Sequence, residues 1–163
     1  MNKILIAGLI VLLVTGVGVG GVKIYSAVRG IRNNNPLNIE LGDDQWDGMA
    51  QVQNDGRFII FTDALYGIRA AARIFSNYAK RGVNTLEEII STWAPPYKIV
   101  NGKKVKENDT EAYINFVVKK TGFARDRAIN KNAGDYTKLI SAMISMENGV
   151  NPYSTDLIDR GEI

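Results

Sequence analysis

The sequence predicts an α+β, mostly helical domain preceded by one transmembrane helix. Three observations predict it. An uncharged apolar run opens the chain, short alternating segments broken by Asn, Gly and Pro follow, and four segments with helical periodicity and caps complete it. The chain has 163 residues, enough for one domain with one core. Twenty Lys and Arg against seventeen Asp and Glu leave a net charge of +3, too mild and too dispersed for a dedicated nucleic-acid binder. Cysteine and histidine are both absent. Disulfides, thiolate nucleophiles, Ser-His-Asp triads and imidazole-bound zinc are therefore excluded. No metal or cofactor is implied, and acid–base chemistry falls to carboxylates, Lys or Tyr.

Ile4 to Val22 is a run of nineteen residues without charge, with Thr15 its one polar side chain and Lys3 and Lys23 at its borders. A spanning helix needs about 20 such residues. A signal peptide has a shorter apolar region, about 7–15 residues, and Tyr25-Ser26-Ala27 is a poor cleavage site. Residues 1–23 therefore read as a single-pass anchor that meets the bilayer through 4–22, residues 24–31 as a tether, and residues 32–163 as the folded domain. Lys23, Arg29 and Arg32 follow the span, and the positive-inside rule would keep the domain cytoplasmic.

Within the domain, Asn33-Asn34-Asn35-Pro36 resists helix because the residue before Pro is pushed extended. Leu37 to Leu41 alternates like a half-buried strand, and Gln45 to Val52 and Arg57 to Phe61 are two further short strand candidates. Thr62 or Asp63 caps a helix running to about Arg81. Thr85-Leu86-Glu87-Glu88 is a capping box that opens a short helix, which Pro95-Pro96 stops. Asn101-Gly102 between Lys-Ile-Val and Lys-Lys-Val signals a small hairpin over 97–107. Asn108-x-x-Glu111 opens a helix to about Lys120, and Asp135 caps the last one, which ends at Glu147 before Asn148-Gly149.

Glu147 is the most informative residue. It continues the apolar stripe of Tyr136, Ile140, Met143 and Ile144, so it faces the core side of its helix. Desolvation and the negative end of the helix dipole both disfavour its anion. A carboxyl that keeps its proton suits a general acid of the kind glycosidases use on a leaving oxygen. On periodicity alone, a solvated Glu at a fraying helix end is the favoured reading, and it is the motif after the helix that changes it.

Met146-Glu147-Asn148-Gly149-Val150-Asn151-Pro152-Tyr153-Ser154 resembles the motif around the catalytic Glu of lytic transglycosylases. Ile89 to Pro96 resembles the segment that lines their cleft, and Asn108 to Ile114 resembles the segment whose Tyr reaches the active site. Asn34 to Ile39, followed by Trp46-Asp47-Gly48, is similar to the strand region of related glucosaminidases. The joint pattern, over about residues 29 to 158, is similar to a family of lysozyme-like phage virion and prophage proteins. The Glu helix comes last instead of first, which implies a circularly permuted lysozyme-like domain of a small β region and about four helices.

The resemblance implies a peptidoglycan-cleaving glycosidase, transglycosylase or muramidase, that cuts between N-acetylmuramic acid and N-acetylglucosamine and serves genome delivery or host lysis. Glu147 would be the acid and then the base, with Tyr113 beside it as a catalytic partner that hydrogen-bonds the reacting sugar. Asn35, Asn38, Trp46 and Trp93 would line the glycan site, the two Trp rings as sugar platforms or simply as core. Glu40 is the best candidate for a second carboxylate. Such an enzyme must face the wall, from the host inner membrane or from an internal virion membrane, where other virion membrane proteins would be its neighbours. The alternative is a non-catalytic structural virion membrane protein on the same scaffold.

Overall fold

A computed structural model describes residues 28–162. The expected span at 4–22 lies outside these residues, and no helix among them is long and apolar enough to cross a membrane. The elements in chain order are α1 (Arg29–Arg32), α2 (Ala64–Ala79), α3 (Leu86–Trp93), β1 (Tyr97–Val100), β2 (Lys103–Lys106), α4 (Thr110–Thr121), a 3-10 turn (Lys131–Ala133), α5 (Asp135–Asn148) and α6 (Thr155–Gly161).

This corrects the expected fold class in two respects. The described residues form an α+β, mostly helical domain. Its one sheet is the hairpin of β1 and β2 between α3 and α4, not the N-terminal β region that a lysozyme-like arrangement required. Among the described residues six α-helices replace the expected four, and α1 takes up part of what the sequence marked as tether.

The missing N-terminal sheet has a physical cause. Between 33 and 61 only isolated bridges form, Glu40 with Phe58 and Met49 with Phe61. Side-chain amides take the bonds a neighbouring strand would otherwise make. Asn35 Nδ2 donates to the carbonyls of Ile39 and Ile59 (2.8 and 2.9 Å), and its Oδ1 accepts from Ile39 N–H (2.9 Å). Gln53 does the same with Ala50 and Ile60. Asn34 and Asn38, at φ +53° and +50°, turn the chain where a strand would continue. The alternation of Leu37, Ile39, Ile59 and Phe61 still buries all four side chains.

The four long helices stand near their expected places. Asp63 caps α2 by accepting from Leu65 N–H. The Thr85–Glu88 box opens α3, and αL glycines end α4 and α5. Two starts shift by one residue. Asp109, not Asn108, caps α4, while Asn108 donates to the Pro95 carbonyl (2.8 Å). Gly134 is the N-cap of α5, and Asp135 is its first residue, bound to Arg127 and to Asn130 N–H. The core gathers Phe75, Trp93, Tyr113, Tyr136 and the aliphatic faces of α2–α5, with Phe75 and Trp93 edge-on at 5.2 Å.

Asp55 ties α1 to the 55–58 turn. Its carboxylate, almost fully buried, accepts from Arg29 Nε (2.9 Å), Asn33 Nδ2 (2.8 Å) and Phe58 N–H (3.0 Å). Burial opposes its charge, but the bonds from Asn33, Phe58 and Arg29 outweigh that and hold its pKa down at about 2. Because the folded value lies below the unfolded one, the stabilisation is complete above about pH 4 and disappears as pH falls towards 2, a span worth about 2 kcal/mol. The Asp55→Asn variant is expected to lose this slope in urea midpoints measured between pH 4 and pH 2.

Candidate functional site

α5 ends at Asn148 because Gly149 takes up a left-handed conformation at φ +73°. That places Glu147 in the last turn, half-buried and beside the 35–38 turn. Three neutral donors surround its carboxylate. Tyr113 OH donates to Oε1 (2.9 Å), Trp93 Nε1 donates more loosely to Oε1 (3.4 Å), and Asn38 Nδ2 donates to Oε2 (3.1 Å). Each donor comes from a different element. Tyr113 lies on α4, which packs along α5, and Trp93 closes α3, which packs on α4. Asn38 sits at the end of the turn closed by Asn38 N–H on the Asn35 carbonyl (2.9 Å).

Tyr113 is fully buried, and its phenol is pushed well above its ordinary pKa, first by burial and then by the adjacent Glu147 charge and hydrogen bond. It therefore stays protonated at any working pH and serves as a permanent O–H donor.

Two residues that the sequence did not single out complete the geometry. Asn148 Nδ2 donates to the carbonyls of Pro36 (2.7 Å) and Ile144 (2.9 Å), stapling the end of α5 to the chain that carries Asn38. Gly30 on α1 supplies the space. A β-carbon there would lie 2.6 Å from Asn148 Oδ1 and 2.9 Å from Asn38 Oδ1, and both of these buried oxygens lack a hydrogen-bond partner. In sequence, Gly30 reads as tether and Asn148 as half of a helix-ending Asn-Gly, so neither carries a signal of this role.

The structure thus joins Glu147, Tyr113, Asn38 and Trp93, and it leaves the other expected site residues elsewhere. Asn35 is fully buried with its amide committed to backbone, so it shapes the turn and offers nothing to a glycan. Trp93 is fully buried and meets Glu147 through its N–H, not through an open ring face. Glu40 pairs with Arg57 at 2.7 Å, and no described bond links it to Glu147. Trp46 lines a separate cavity of about 410 Å³ with Tyr66, Arg69, Arg73 and Lys131, and Glu147 is not among its walls. Among the described residues, no cluster of acidic side chains has the grouping a metal ion needs.

Fold and site together define a small, mostly helical α+β domain that presents one carboxylate at a helix end within a fence of neutral donors. Over 150 residues the chain is 47% identical to Protein P5 of Pseudoalteromonas phage PM2, an alignment that spans 90% of this chain and 87% of that protein. It belongs to the family of that phage protein. The phage kinship implied by the motifs therefore holds; no protein-family model matches the chain, and a lysozyme-like family is not shown.

The Gly30 contact is open to a decisive test, because replacing Gly by Ala inside a helix ordinarily stabilises by about 1 kcal/mol. Gly30→Ala is expected to do the reverse and destabilise by about 1–3 kcal/mol in denaturant titrations, since the methyl group must displace two amides held by other bonds.

Proposed function

We propose that this chain cleaves the glycan strand of peptidoglycan between N-acetylmuramic acid and N-acetylglucosamine, with Glu147 as its single acid–base group. The observation that carries the reading is the convergence of Asn38, Trp93 and Tyr113 on one partly exposed carboxylate. In the reaction, Glu147 gives its proton to the glycosidic oxygen as that C–O bond breaks and positive charge develops on the sugar. The resulting carboxylate then takes a proton, either from a hydroxyl of the same sugar, closing an anhydro ring, or from water. Acid–base assistance of this kind is worth about 10²–10⁴-fold.

Hydrogen-bond accounting accommodates a proton-carrying Glu147. With the carboxylate ionised, Asn38 points its nitrogen at Glu147 and leaves its own oxygen unpartnered beside that of Asn148. A 180° turn of the Asn38 amide exchanges oxygen and nitrogen within the same outline. Asn38 Oδ1 then accepts the Glu147 proton, and its nitrogen turns toward the space that Asn148 Oδ1 faces. Both protonation states of Glu147 are thereby served by one side chain. The pairing of Glu40 with Arg57 favours the single-carboxylate route over a two-carboxylate hydrolase.

Glu147→Gln keeps the size of the side chain and removes the transferable proton. The expected result is loss of peptidoglycan clearing on a zymogram by about 100-fold or more, with an unchanged circular dichroism spectrum. Mass spectrometry of the wild-type digest is expected to show anhydro-muramyl ends. Clearing retained by the variant defeats the reading. A wild-type chain that pellets with purified peptidoglycan yet releases no fragments points instead to a structural phage protein that only holds the wall.

A further inference from the structure

The β1–β2 hairpin stands apart from the rest of the domain. It pairs Tyr97 with Lys106, Lys98 with Val105, Ile99 with Lys104 and Val100 with Lys103 around an Asn101-Gly102 turn with both φ values positive. Neither face is buried, since seven of its eight strand residues are exposed and Lys98 is half-buried. A two-stranded hairpin is marginal on its own. Here its base is held by Glu107 N–H on the Pro96 carbonyl (2.9 Å) and by Lys98 on Glu107 (3.0 Å).

Its composition is unlike the remaining surface. Of the six large apolar side chains exposed in the described chain, Tyr97, Ile99, Val100 and Val105 are here, Ile99 at 67%. Each stands opposite a lysine, and residues 97–106 contain four lysines and no acid. Among the described residues only Lys98 has a carboxylate partner, while Lys104 lies over the Tyr97 ring at 4.2 Å. Apolar and cationic side chains paired across an unburied element match a surface that is anionic outside and hydrocarbon beneath. The apolar groups enter the boundary layer while the lysine stems keep their charge at the headgroups. A wall polysaccharide or a nucleic acid offers the negative charge but no apolar layer for the four hydrophobic side chains.

We propose that the Tyr97–Lys106 hairpin docks on the surface of an anionic lipid bilayer. This inference is independent of the activity proposed for Glu147. The absence of cysteine from the sequence makes the test clean. Full-length protein carrying Ile99→Cys, labelled with an environment-sensitive fluorophore, is mixed with vesicles of phosphatidylcholine alone or with phosphatidylglycerol added. A label at Val52→Cys, exposed on the 50–57 loop, is the control. The expected result is a blue shift, with quenching by spin-labelled lipid, at position 99 on phosphatidylglycerol vesicles only, and no such change at position 52. Replacing Lys103 and Lys104 by Gln is expected to weaken the effect about fivefold per lysine, and raised salt is expected to weaken it as well. The proposal is overturned by an unshifted label on anionic vesicles, by an equal shift on neutral vesicles or at position 52, or by a shift that only peptidoglycan or DNA produces.

Discussion

A carboxylate withdrawn from water at the negative end of a helix is among the least comfortable groups a small domain can hold, and the arrangement around Glu147 follows from meeting that demand. Its three donors lie 109, 54 and 34 residues away in sequence, so no local segment can satisfy it. The packing of α3 on α4 and of α4 on α5, together with the seating of the 35–38 turn, brings the donors to the same two oxygens. Removing any one of them leaves the others to carry a partly buried charge, which is why the site is tied to the tertiary structure and not to one helix.

Side-chain amides dominate the N-terminal third for a related reason. Asn35 and Gln53 complete backbone bonds that no strand provides, while Asn33 and Asn38 donate to the carboxylates of Asp55 and Glu147. An amide donates and accepts at once, so Asn35 replaces one residue of a neighbouring strand at the cost of one buried side chain. The result is a stiff turn where a sheet was expected, and stiffness is what Asn38 requires, since its aim at Glu147 is set by backbone fixed at φ +50°.

The helices were legible in the sequence because their signals are local. Asp63, the Thr85–Glu88 box, Gly122 and Gly149 act within one turn of their own positions. The strands at 37–41, 45–52 and 57–61 were misread because alternation reports burial and not pairing, and burial is what Leu37, Ile39, Ile59 and Phe61 have. Within the candidate site, Glu147 was legible from helix periodicity, and Tyr113, Asn38 and Trp93 only from the motifs that resemble lytic transglycosylases. Asn35, Trp46 and Glu40 were not separable from them, because one sequence does not reveal whether an amide, ring or carboxyl is already spent on Ile39 and Ile59, on another cavity, or on Arg57. The contribution of Gly30 rests on what is missing from its side chain and leaves no mark in a pattern.

The burial of the donors also decides which carboxylate oxygen can do chemistry on the proposed reading. Tyr113 and Trp93, both fully buried, converge on Oε1, so that oxygen faces protein on the side they occupy. Oε2 accepts from Asn38, which, unlike the two rings, is partly open to solvent. On the proposed reading a sugar oxygen approaches from the Asn38 side. Tyr113 and Trp93, which the resemblance offered as sugar contacts, stand on that reading as fixed polar anchors behind the carboxylate. Tyr113 in particular is well chosen for that place. Its phenol is held far from ionisation by the burial and negative charge that surround it, so it cannot surrender its proton to Glu147 and can only orient it.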